Sequence, residues 1–500
     1  MEMLRVSKAE IVNSKGQPVR LRGTCLGGWM NMEGFINGFP GVECSLRAAM
    51  AEVLGTGKAE FFFERWQDHF LSESDIAFIK ACGANVVRIP LNYRRFEYDG
   101  EPFKYLGTGF ERLNRAIQWC RKYGLYVILD LHAAPGWQNP DWHSDNPTQT
   151  ALLWAHPHFQ ERFIAVWQEI ARRYRGEAVI AGYDLMNEPL SNAASERSNG
   201  SYRPDWGSLN RLYRRAVRAI REVDTEHIIF LEGDGFSTRF LGMDEPFAEN
   251  LAYSSHHYNR AGWGPGAYPG LHREGFWDRE MLVQAFQDHE GRQYTRQYNV
   301  PLWAGEFGSV FNGPPEDRPS RLRGIEDQIS VFEQFGVHWT TWTYKDLGVM
   351  GWVGLDPDSE YMLRAAPVLK AKLQLHSDSW MYWLPSTPAK ELLSELACVV
   401  QQTMGEPGPD GKWVQGQLIK AALGGYASSQ MQPAYARLFK DMSEVEIDRV
   451  LESFAFENCR PNQDLVGVVK KYMHGVEADL TPGRAETARH PPSLEGKGES

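Results

Sequence analysis

Short apolar segments alternate with longer segments of helical periodicity from about residue 20 onward. The apolar segments are rich in Val, Ile, Leu and aromatic residues, and several show no polar alternation, which is typical of strands covered on both faces. The pattern therefore predicts β/α units around a parallel sheet. The eight predicted strands are residues 23–29, 85–91, 126–132, 180–186, 227–233, 251–258, 301–307 and 337–344.

Helical signals fill the segments between these strands. Ser72 and Asp75 form a capping box ahead of an apolar run. Residues 109–124, 158–176 and 206–222 each place their apolar side chains on one helix face. No glycine-rich dinucleotide-binding motif with the required spacing follows the first strand. We therefore expect an α/β protein with a closed (β/α)8 TIM barrel and not an open doubly wound sheet.

Long segments that we interpret as loops follow four of the predicted strands. They are residues 30–71, 133–157, 190–205 and 259–276. In a barrel these segments all rise on the face that carries the carboxyl ends of the strands, where substrates bind. The sequence therefore predicts a walled pocket at that face.

The β/α alternation ends near residue 360. Helical patterns continue to about residue 476, including 388–404 and a segment at 443–456 that opens with a capping box of Ser443 and Glu446. We predict a catalytic barrel over residues 1–360 and a helical C-terminal appendage over 361–476, packed on the barrel. Residues 477–500 are polar and rich in Pro and Gly, and we predict that they are disordered.

Composition narrows the class of protein. The 53 Lys and Arg residues against 64 Asp and Glu give a formal charge of −11, which disfavours a nucleic-acid binder. Hydrophobic residues make up 42% of the chain, enough to bury a large core. Six cysteines without a C-x-x-C pair argue against a zinc knuckle or a disulfide scaffold.

The sequence shows neither a membrane-spanning segment nor a recognisable secretory leader. Apolar runs of about 18 residues are missing from the sequence, so we expect no membrane span. The first twelve residues carry charges where a secretory leader would be apolar. We interpret the chain as cytoplasmic as given, or as secreted if a leader has been removed.

A barrel gathers side chains from its strand ends around one axial site, so the polar and aromatic residues at those ends are the candidates for chemistry. Glu188 after the fourth strand and Glu306 at the seventh are predicted to face each other across the barrel mouth. Such a carboxylate pair is the machinery of glycoside hydrolysis. The remaining candidates are Arg88, His132, Asn187, His256, Tyr258 and Trp342.

The two carboxylates need opposite protonation states to act as nucleophile and acid. Arg88, placed near the nucleophile, would keep that carboxylate ionised. The other carboxyl, in a less polar setting, would hold its proton near neutral pH. Trp342 suits the apolar face of a sugar ring, because axial C–H groups pack on an indole. Other tryptophans near loops or strand ends are interpreted as structural, namely Trp137, Trp142, Trp263, Trp303, Trp339 and Trp352.

Three histidines leave a metal site open as an alternative. His132 and His256 lie at strand ends with the carboxylates, but the sequence has no paired histidine spacing on a helix and no H-x-H on the first strand. We therefore expect neither a metal nor a cofactor, and we expect His132 and His256 to bond hydroxyls or orient a carboxylate. His257 should point away from His256, as a satisfied buried histidine.

Six motifs at six predicted strand ends resemble glycoside hydrolase family 5, in the same order along the chain. The resemblance covers about residues 15–360 and implies a retaining double displacement on β-linked glycosides. The motifs are 85–90 (NVVRIP), 129–133 (LDLHA), 184–189 (DLMNEP), 256–258 (HHY), 303–308 (WAGEFG) and 341–342 (TW).

The same resemblance implies a role for each candidate residue. Glu188 is similar to the acid/base of that family, Glu306 to its nucleophile and Asn187 to the residue that bonds the sugar 2-hydroxyl. Arg88 and Tyr258 match neighbours of the nucleophile. His132, His256 and Trp342 match the lining of the subsite that holds the attacked sugar.

These observations predict a retaining β-glycosidase that hydrolyses β-linked glucosides or oligosaccharides with no cofactor. The long loops favour a pocket and attack near a chain end. An endo-β-glucanase, a non-catalytic carbohydrate-binding barrel, a metal-dependent barrel hydrolase and a transglycosylase remain alternatives. The expected partner is a carbohydrate substrate, and the sequence does not indicate an oligomeric state.

Overall fold

Eight parallel strands close into a barrel in the computed structural model, which describes residues 1–192, 202–263, 266–272, 275–377, 386–404 and 410–473. Each strand pairs with the next along the chain, and the pairing of Trp339 with Arg22 joins the last strand to the first. All eight predicted strands are confirmed, with ends that differ by a few residues. The strands are β1 Arg22–Cys25, β2 Val86–Asn92, β3 Tyr126–Ala133, β4 Ile180–Asp184, β5 Ile228–Glu232, β6 Leu251–His256, β7 Leu302–Glu306 and β8 His338–Thr341.

Amphipathic helices cover the outside of the barrel. The capping box of Ser72 and Asp75 forms as predicted. The three helices that the periodicity predicts are confirmed within two residues at each end, because their apolar faces bury residues such as Leu113, Trp167 and Ile220. The helices that follow the strands are Glu73–Ala81, Gly107–Tyr123, Pro157–Tyr174, Trp206–Arg221, Arg279–Asp288, Glu290–Tyr298, Arg318–Gln334 and Glu360–Gln374.

The barrel interior is apolar at its amino-terminal end and polar at its carboxyl end. Val86, Ile128, Phe230 and Trp303 fill the lower barrel together with Leu4 from an N-terminal hairpin. That hairpin, formed by Arg5–Ser7 and Glu10–Val12, packs on the same cluster. Because the lower half is a packed apolar core, the polar chemistry is confined to the carboxyl end of the strands.

The segment after β1 differs from the sequence interpretation. Residues 30–71 are mostly helical and not an open loop, with helices Gly34–Asn37, Glu43–Leu54 and Thr56–Phe70. The physical reason is an amphipathic pattern in which Leu46, Met50, Phe62, Phe63, Trp66 and Phe70 are buried. This helical excursion forms part of the wall above the barrel.

Smaller elements occupy the segments after the other strands. Three short helices lie close to the barrel mouth, Leu152–Ala155, Asp234–Ser237 and Arg260–Trp263. Two hairpins are formed by Glu97–Tyr98 with Glu101–Tyr105 and by Gly270–His272 with Gly275–Trp277. Single helical turns span Tyr93–Arg95, Trp142–Ser144 and Pro315–Asp317.

The C-terminal region is helical, as predicted. The capping box of Ser443 and Glu446 is present. Strand Val353–Leu355 pairs with Lys345–Asp346 on one side and with Cys459–Pro461 on the other, so the region returns to the barrel. Its helical elements are Pro388–Met404, Gly411–Leu418, the π-helical Ile419–Ala427, Ser428–Gln430, Gln432–Arg437, Glu444–Leu451, Glu452–Phe454, Phe456–Asn458 and Gln463–Met473.

Apolar side chains of this region merge with the core around the barrel helices. Tyr435, Phe439 and Phe454 belong to the same buried cluster as Phe62 and Trp66. The division into a 1–360 barrel and a 361–476 extension stays a prediction, and the predicted disorder of residues 477–500 lies outside the described residues. Among the described helices, none has the length and apolar character needed to cross a bilayer.

Candidate active site

Two carboxylates meet at the carboxyl end of the barrel. Glu306 is the last residue of β7, and Glu188 lies four residues beyond the end of β4. One carboxylate oxygen of each lies within 4.8 Å of the other and of a ring nitrogen of His256. Both side chains are largely buried, with exposed fractions of 9% for Glu188 and 4% for Glu306. Their convergence matches the prediction from the sequence.

Hydrogen-bond donors surround Glu306. Arg88 Nη1 donates to its Oε1 at 2.5 Å, and the Tyr258 hydroxyl donates to its Oε2 at 2.9 Å. Burial and the neighbouring Glu306 raise the pKa of Tyr258 well above its usual range, so the phenol keeps its proton. The arrangement stabilises a negative charge on Glu306.

Glu188 lies between two imidazoles. His256 Nδ1 is 2.6 Å from its Oε1, and His143 Nε2 is 3.1 Å from its Oε2. Burial alone would raise the pKa of Glu188, but the hydrogen bonds from His143 and His256 outweigh burial and hold that pKa well below its usual range. The expectation of a carboxyl that keeps its proton in a less polar setting is therefore wrong for the free protein, because the sequence interpretation placed no charged imidazole beside Glu188.

The backbone of Glu188 is held as firmly as its side chain. Its φ of 50° lies in the left-handed region, which is costly for a residue with a side chain. Its N–H donates to Glu232 Oε2 at 2.7 Å, and its carbonyl oxygen accepts from Asn139 Nδ2 at 2.9 Å. These bonds offset the strain and aim the carboxylate at the mouth.

A buried layer of carboxylates around Arg88 lies beneath the pair. Arg88 is 3.1 Å from each of Asp130, Asp184 and Glu232, and it donates to Asn187 Oδ1 at 2.8 Å. Burial alone would raise the pKa of Glu232, but His256 and Arg88 lower it to about 2. Arg88 therefore contacts Glu306, as predicted, and is also the centre of a buried ion-pair network.

Two buried groups of residues at the barrel mouth have the spacing of metal ligands. Asp130, Asp184 and Glu232 approach one another within 4.8 Å, as do Glu188, His256 and Glu306. The guanidinium of Arg88 already contacts the first three, so the cation that such a group needs is supplied by the chain. Glu188, His256 and Glu306 are engaged by the hydrogen bonds described above.

His132 and Trp342 form a stacked pair at the barrel mouth. The two rings stack with centroids 5.2 Å apart and planes inclined by 6°. His132 Nδ1 is 2.8 Å from Asp130, and its Nε2 is 3.2 Å from Glu33 and 3.4 Å from Asn187 Nδ2. Burial alone would lower the pKa of His132, but Asp130 and Glu33 raise it to about 10.

A glycine lets the indole lie close to β1. A Cβ on Gly27 would lie 2.7 Å from the Thr343 hydroxyl and 2.8 Å from the Trp342 ring, distances that real Cβ atoms do not show. The close approach fixes the indole beside His132. Thus all eight residues predicted for the site lie in one connected set around the barrel mouth.

Comparison with known proteins identifies the family. The cellulase (glycosyl hydrolase family 5) profile matches residues 13–348. The chain belongs to glycoside hydrolase family 5. A β-xylosidase of Phanerodontia chrysosporium is 36% identical over 476 residues, which covers 92% of this chain and 96% of that protein.

More distant members of the family match the barrel. Endoglucanase C of Acetivibrio thermocellus is 26% identical over 58% of this chain and 88% of its own length. Among solved structures, an endogalactoceramidase superposes with a TM-score of 0.50 at 17% identity, over 69% of this chain and 75% of that one, and supports the fold alone. The protein is a glycoside hydrolase, as the motifs predicted, and its residue roles stay proposals.

Several residues that shape this family 5 site were missed by the sequence interpretation. Asp130 lies two residues before His132 in β3 and so points to the same side, while Asp184 and Glu232 end β4 and β5. A search for every charged residue inside the predicted strands would have found these three. His143 lies in the single helical turn Trp142–Ser144 and Glu33 in an irregular segment, and no periodic signal marks either of them.

A cavity of about 790 Å³ opens beside Glu188. His257 lies on its wall and its ring Nε2 is 2.7 Å from the Ser255 hydroxyl, so its hydrogen bonding is satisfied as expected, although it is only half-buried. Trp142 and Trp263 pack against the core, in agreement with their structural interpretation, and also line the cavity. Trp303, Trp339 and Trp352 are fully buried, in agreement with a structural role.

Proposed function

We propose that this family 5 glycosidase is a retaining β-glycosidase in which Glu306 is the nucleophile and Glu188 the acid/base. The observation that carries the proposal is the distance between the two carboxylates, whose nearest oxygens lie within 4.8 Å. Retaining enzymes place their carboxyl groups about 5–5.5 Å apart, whereas inverting enzymes need about 6.5–9.5 Å to admit a water. Glu306 attacks the anomeric carbon, and Glu188 protonates the departing oxygen and then activates water.

The contacts of Glu306 support its assignment. Arg88 and Tyr258 each donate to one of its oxygens, so both oxygens are fixed in direction. When the glycosyl ester forms, the positive charge of Arg88 stays balanced by Asp130, Asp184 and Glu232. The site therefore tolerates the loss of one negative charge during the reaction.

Glu188 has to gain a proton before it can act as an acid. In the free protein His143 and His256 hold its pKa low. A bound glycoside covers the edge of Glu188 that is still exposed and excludes water, which raises the pKa of a carboxyl. His256, 2.6 Å away and itself placed between Glu188, Glu232 and Glu306, is the nearest group that shares that proton.

Contacts between the segments after β1 and β3 support attack at a chain end. The rings of Phe35 and Trp142 meet edge to face at 5.6 Å, and Asn31 Nδ2 donates to the His143 carbonyl oxygen at 3.0 Å. Cys44 N–H donates to Asp145 Oδ1 at 2.7 Å. These contacts tie the segments after β1 and β3 together beside the site, which supports a pocket that binds a terminal sugar.

The proposed substrates are β-glucosides or β-xylosides with the attacked sugar at the non-reducing end. The β-xylosidase relative, matched over 96% of its length, favours a small glycoside. Endo-cleavage of a β-glucan is the second candidate, because Endoglucanase C is matched over 88% of its length. Glucose and xylose differ only in the hydroxymethyl group at C5, so kinetics on both β-glucosides and β-xylosides are needed.

The test combines a substrate panel with variants of the two carboxylates. We expect turnover of aryl β-glucosides or β-xylosides, release of single sugars from oligosaccharides, and a first product that keeps the β-configuration by proton NMR. Glu306→Gln should abolish turnover, and Glu188→Gln should spare substrates with acidic leaving groups more than poor ones. Glu60→Gln, at an exposed glutamate, is the matched control.

Other outcomes would select the alternatives. An α-configured first product would reject retention, and internal cleavage of β-glucans would select the endo enzyme. Products that join sugars in place of hydrolysis would indicate a transglycosylase, and loss of activity in a chelator would indicate a metal-dependent hydrolase. Full activity of Glu306→Gln would remove the assignment of the nucleophile.

A further inference from the structure

The cavity of about 790 Å³ lies on one side of the catalytic pair. Glu188 lines it, together with His256 and Tyr258, whereas Glu306 lies at its edge and is not part of its wall. His132 and Trp342, which stack on each other, are likewise not part of its wall. Because the proposed acid protonates the departing oxygen, the side that Glu188 faces is the side on which a leaving group must lie.

Much of the cavity wall is apolar. Phe236 and Trp263 line it, together with Leu282 and Phe286 of helix Arg279–Asp288 and Phe332 of helix Arg318–Gln334. The Phe286 and Phe332 rings meet edge to face at 5.6 Å. A β6 strand end and two barrel helices thus enclose a space that side chains do not fill.

Several polar groups on the cavity wall are already engaged within the protein, whereas Trp277 Nε1 and His289 Nε2 have no hydrogen-bond partner among the described residues. The His257 ring is 2.7 Å from the Ser255 hydroxyl, and Gln328 Nε2 donates to the His257 carbonyl oxygen at 2.6 Å. His289 Nδ1 accepts from the Gly291 N–H at 3.1 Å. A second sugar has hydroxyls on every side and would leave most of them without partners in this space, which is costly.

We propose that this cavity binds the leaving group and that the preferred leaving groups are apolar alcohols, alkyl or aryl, in place of a second sugar. The inference rests on the proposed β-glycosidase function and specifies its substrate class. Hydrolysis breaks the bond between the anomeric carbon and the alcohol oxygen, the alcohol leaves with a proton from Glu188, and water supplies the hydroxyl of the free sugar.

The test uses methyl, butyl and octyl β-glycosides of the sugar that the enzyme prefers, each below its micelle concentration, and the matching β-linked disaccharide. These alcohols leave with nearly equal chemical ease, so differences in kcat/KM report binding of the chain. Each buried methylene is expected to raise kcat/KM roughly fourfold, so octyl should exceed methyl by at least ~100-fold. The kcat/KM for the octyl glycoside should also exceed the kcat/KM for the disaccharide.

A variant locates the effect in the cavity. Ala285 lines it, and Ala285→Phe should lower the octyl-to-methyl ratio of kcat/KM at least tenfold. Met281→Phe on the exposed face of the same helix is the matched control and should keep the ratio. Inhibition of methyl glycoside hydrolysis by 1-octanol, competitive in the wild type, gives a readout that does not depend on folding of the variant.

The outcomes separate this inference from the function on which it rests. Three results would overturn the apolar leaving-group site alone. The first is an equal kcat/KM for the methyl, butyl and octyl glycosides, and the second is a higher kcat/KM for the disaccharide than for the octyl glycoside. The third is an unchanged octyl-to-methyl ratio in Ala285→Phe together with no inhibition by 1-octanol. Failure to hydrolyse any glycoside, including aryl glycosides, would overturn the glycosidase assignment and the inference with it.

Discussion

At the scale of single residues, the hydrogen bond between Glu188 and His256 determines where their shared proton lies. His256 Nδ1 and His143 Nε2 approach different oxygens of the carboxylate, at 2.6 and 3.1 Å. Burial alone would lower the pKa of His256, but Glu306 and Glu232 raise it well above its usual range. In the free protein the proton therefore lies on the imidazole side of the hydrogen bond.

Replacing His143 with Asn is expected to move the alkaline limb of the kcat/KM profile to higher pH. The contact with His143 lowers the pKa of Glu188, so its loss raises that pKa, and the acid stays protonated to a higher pH. The measurement is kcat/KM against pH on a glycoside with a poor leaving group. His158→Asn, at an exposed histidine, is the control. A limb that stays in place or moves to lower pH would contradict the role of His143.

Replacing Arg88 with Met is expected to lower the free energy of unfolding by about 3–5 kcal/mol, because it leaves buried carboxylates without their cation. Urea unfolding at neutral pH measures the loss. Arg172→Met is the comparison, since Arg172 pairs with Glu169 at the surface and such pairs contribute about 1 kcal/mol or less. Equal stability of the two variants would show that the buried layer does not depend on Arg88.

The sequence predicted those site residues that lie at or near the ends of the predicted strands. Glu306 and His256 end strands, and Glu188 follows one closely, so their convergence follows from barrel geometry. His143 lies ten residues beyond the end of β3, and its contact with Glu188 depends on the path of an irregular segment. The direction of the Glu188 pKa therefore had no signal in the sequence.

At the scale of elements, the same limit appears in the fold. The eight strands were predictable because each is a short apolar run bounded by helical segments. The interpretation of residues 30–71 as a loop is wrong, because Phe62, Trp66 and Phe70 form a clear apolar helix face. The packing of the C-terminal region against the segment after β3 was not predictable. Its contacts, such as that between Asp141 and Lys420, join residues that are far apart in the sequence.

The π-helical segment Ile419–Ala427 contacts the segment that carries His143. Lys420 forms an ion pair with Asp141, its Nζ lies 5.9 Å from the centre of the Phe236 ring, and Gln149 Nε2 donates to the Ala421 carbonyl oxygen at 3.2 Å. Asp141 is two residues from His143. The C-terminal region therefore fixes one wall of the cavity.

Replacing Lys420 with Met is expected to lower kcat/KM about tenfold or more, because displacement of His143 by about 1 Å misplaces the acid/base carboxylate. Initial rates on an aryl β-glycoside measure the effect. Lys412→Met, at an exposed lysine of the same region, should retain full activity. If both variants match the wild type, the ion pair with Asp141 does not position the wall.

At the scale of the whole molecule, the barrel and the C-terminal helices share one apolar core. Phe454 is fully buried, with its ring centre 4.6 Å from that of Tyr361 and 5.9 Å from that of Trp66. Strand Cys459–Pro461 adds to the strand that follows the barrel. Elements that share buried surface in this way are expected to unfold together.

Thermal unfolding should therefore be a single transition, and Phe454→Ala should shift the whole of it. Removing a buried Phe costs about 3–5 kcal/mol in transfer free energy and cavity formation, which lowers Tm by several degrees. Val445→Ala, at a side chain that is 80% exposed in the same region, should leave Tm unchanged. Calorimetry, with activity measured after each heating step, tests whether the two parts unfold together. Two transitions, of which Phe454→Ala shifts only one while activity is lost at the other, would show that the barrel and the extension unfold independently.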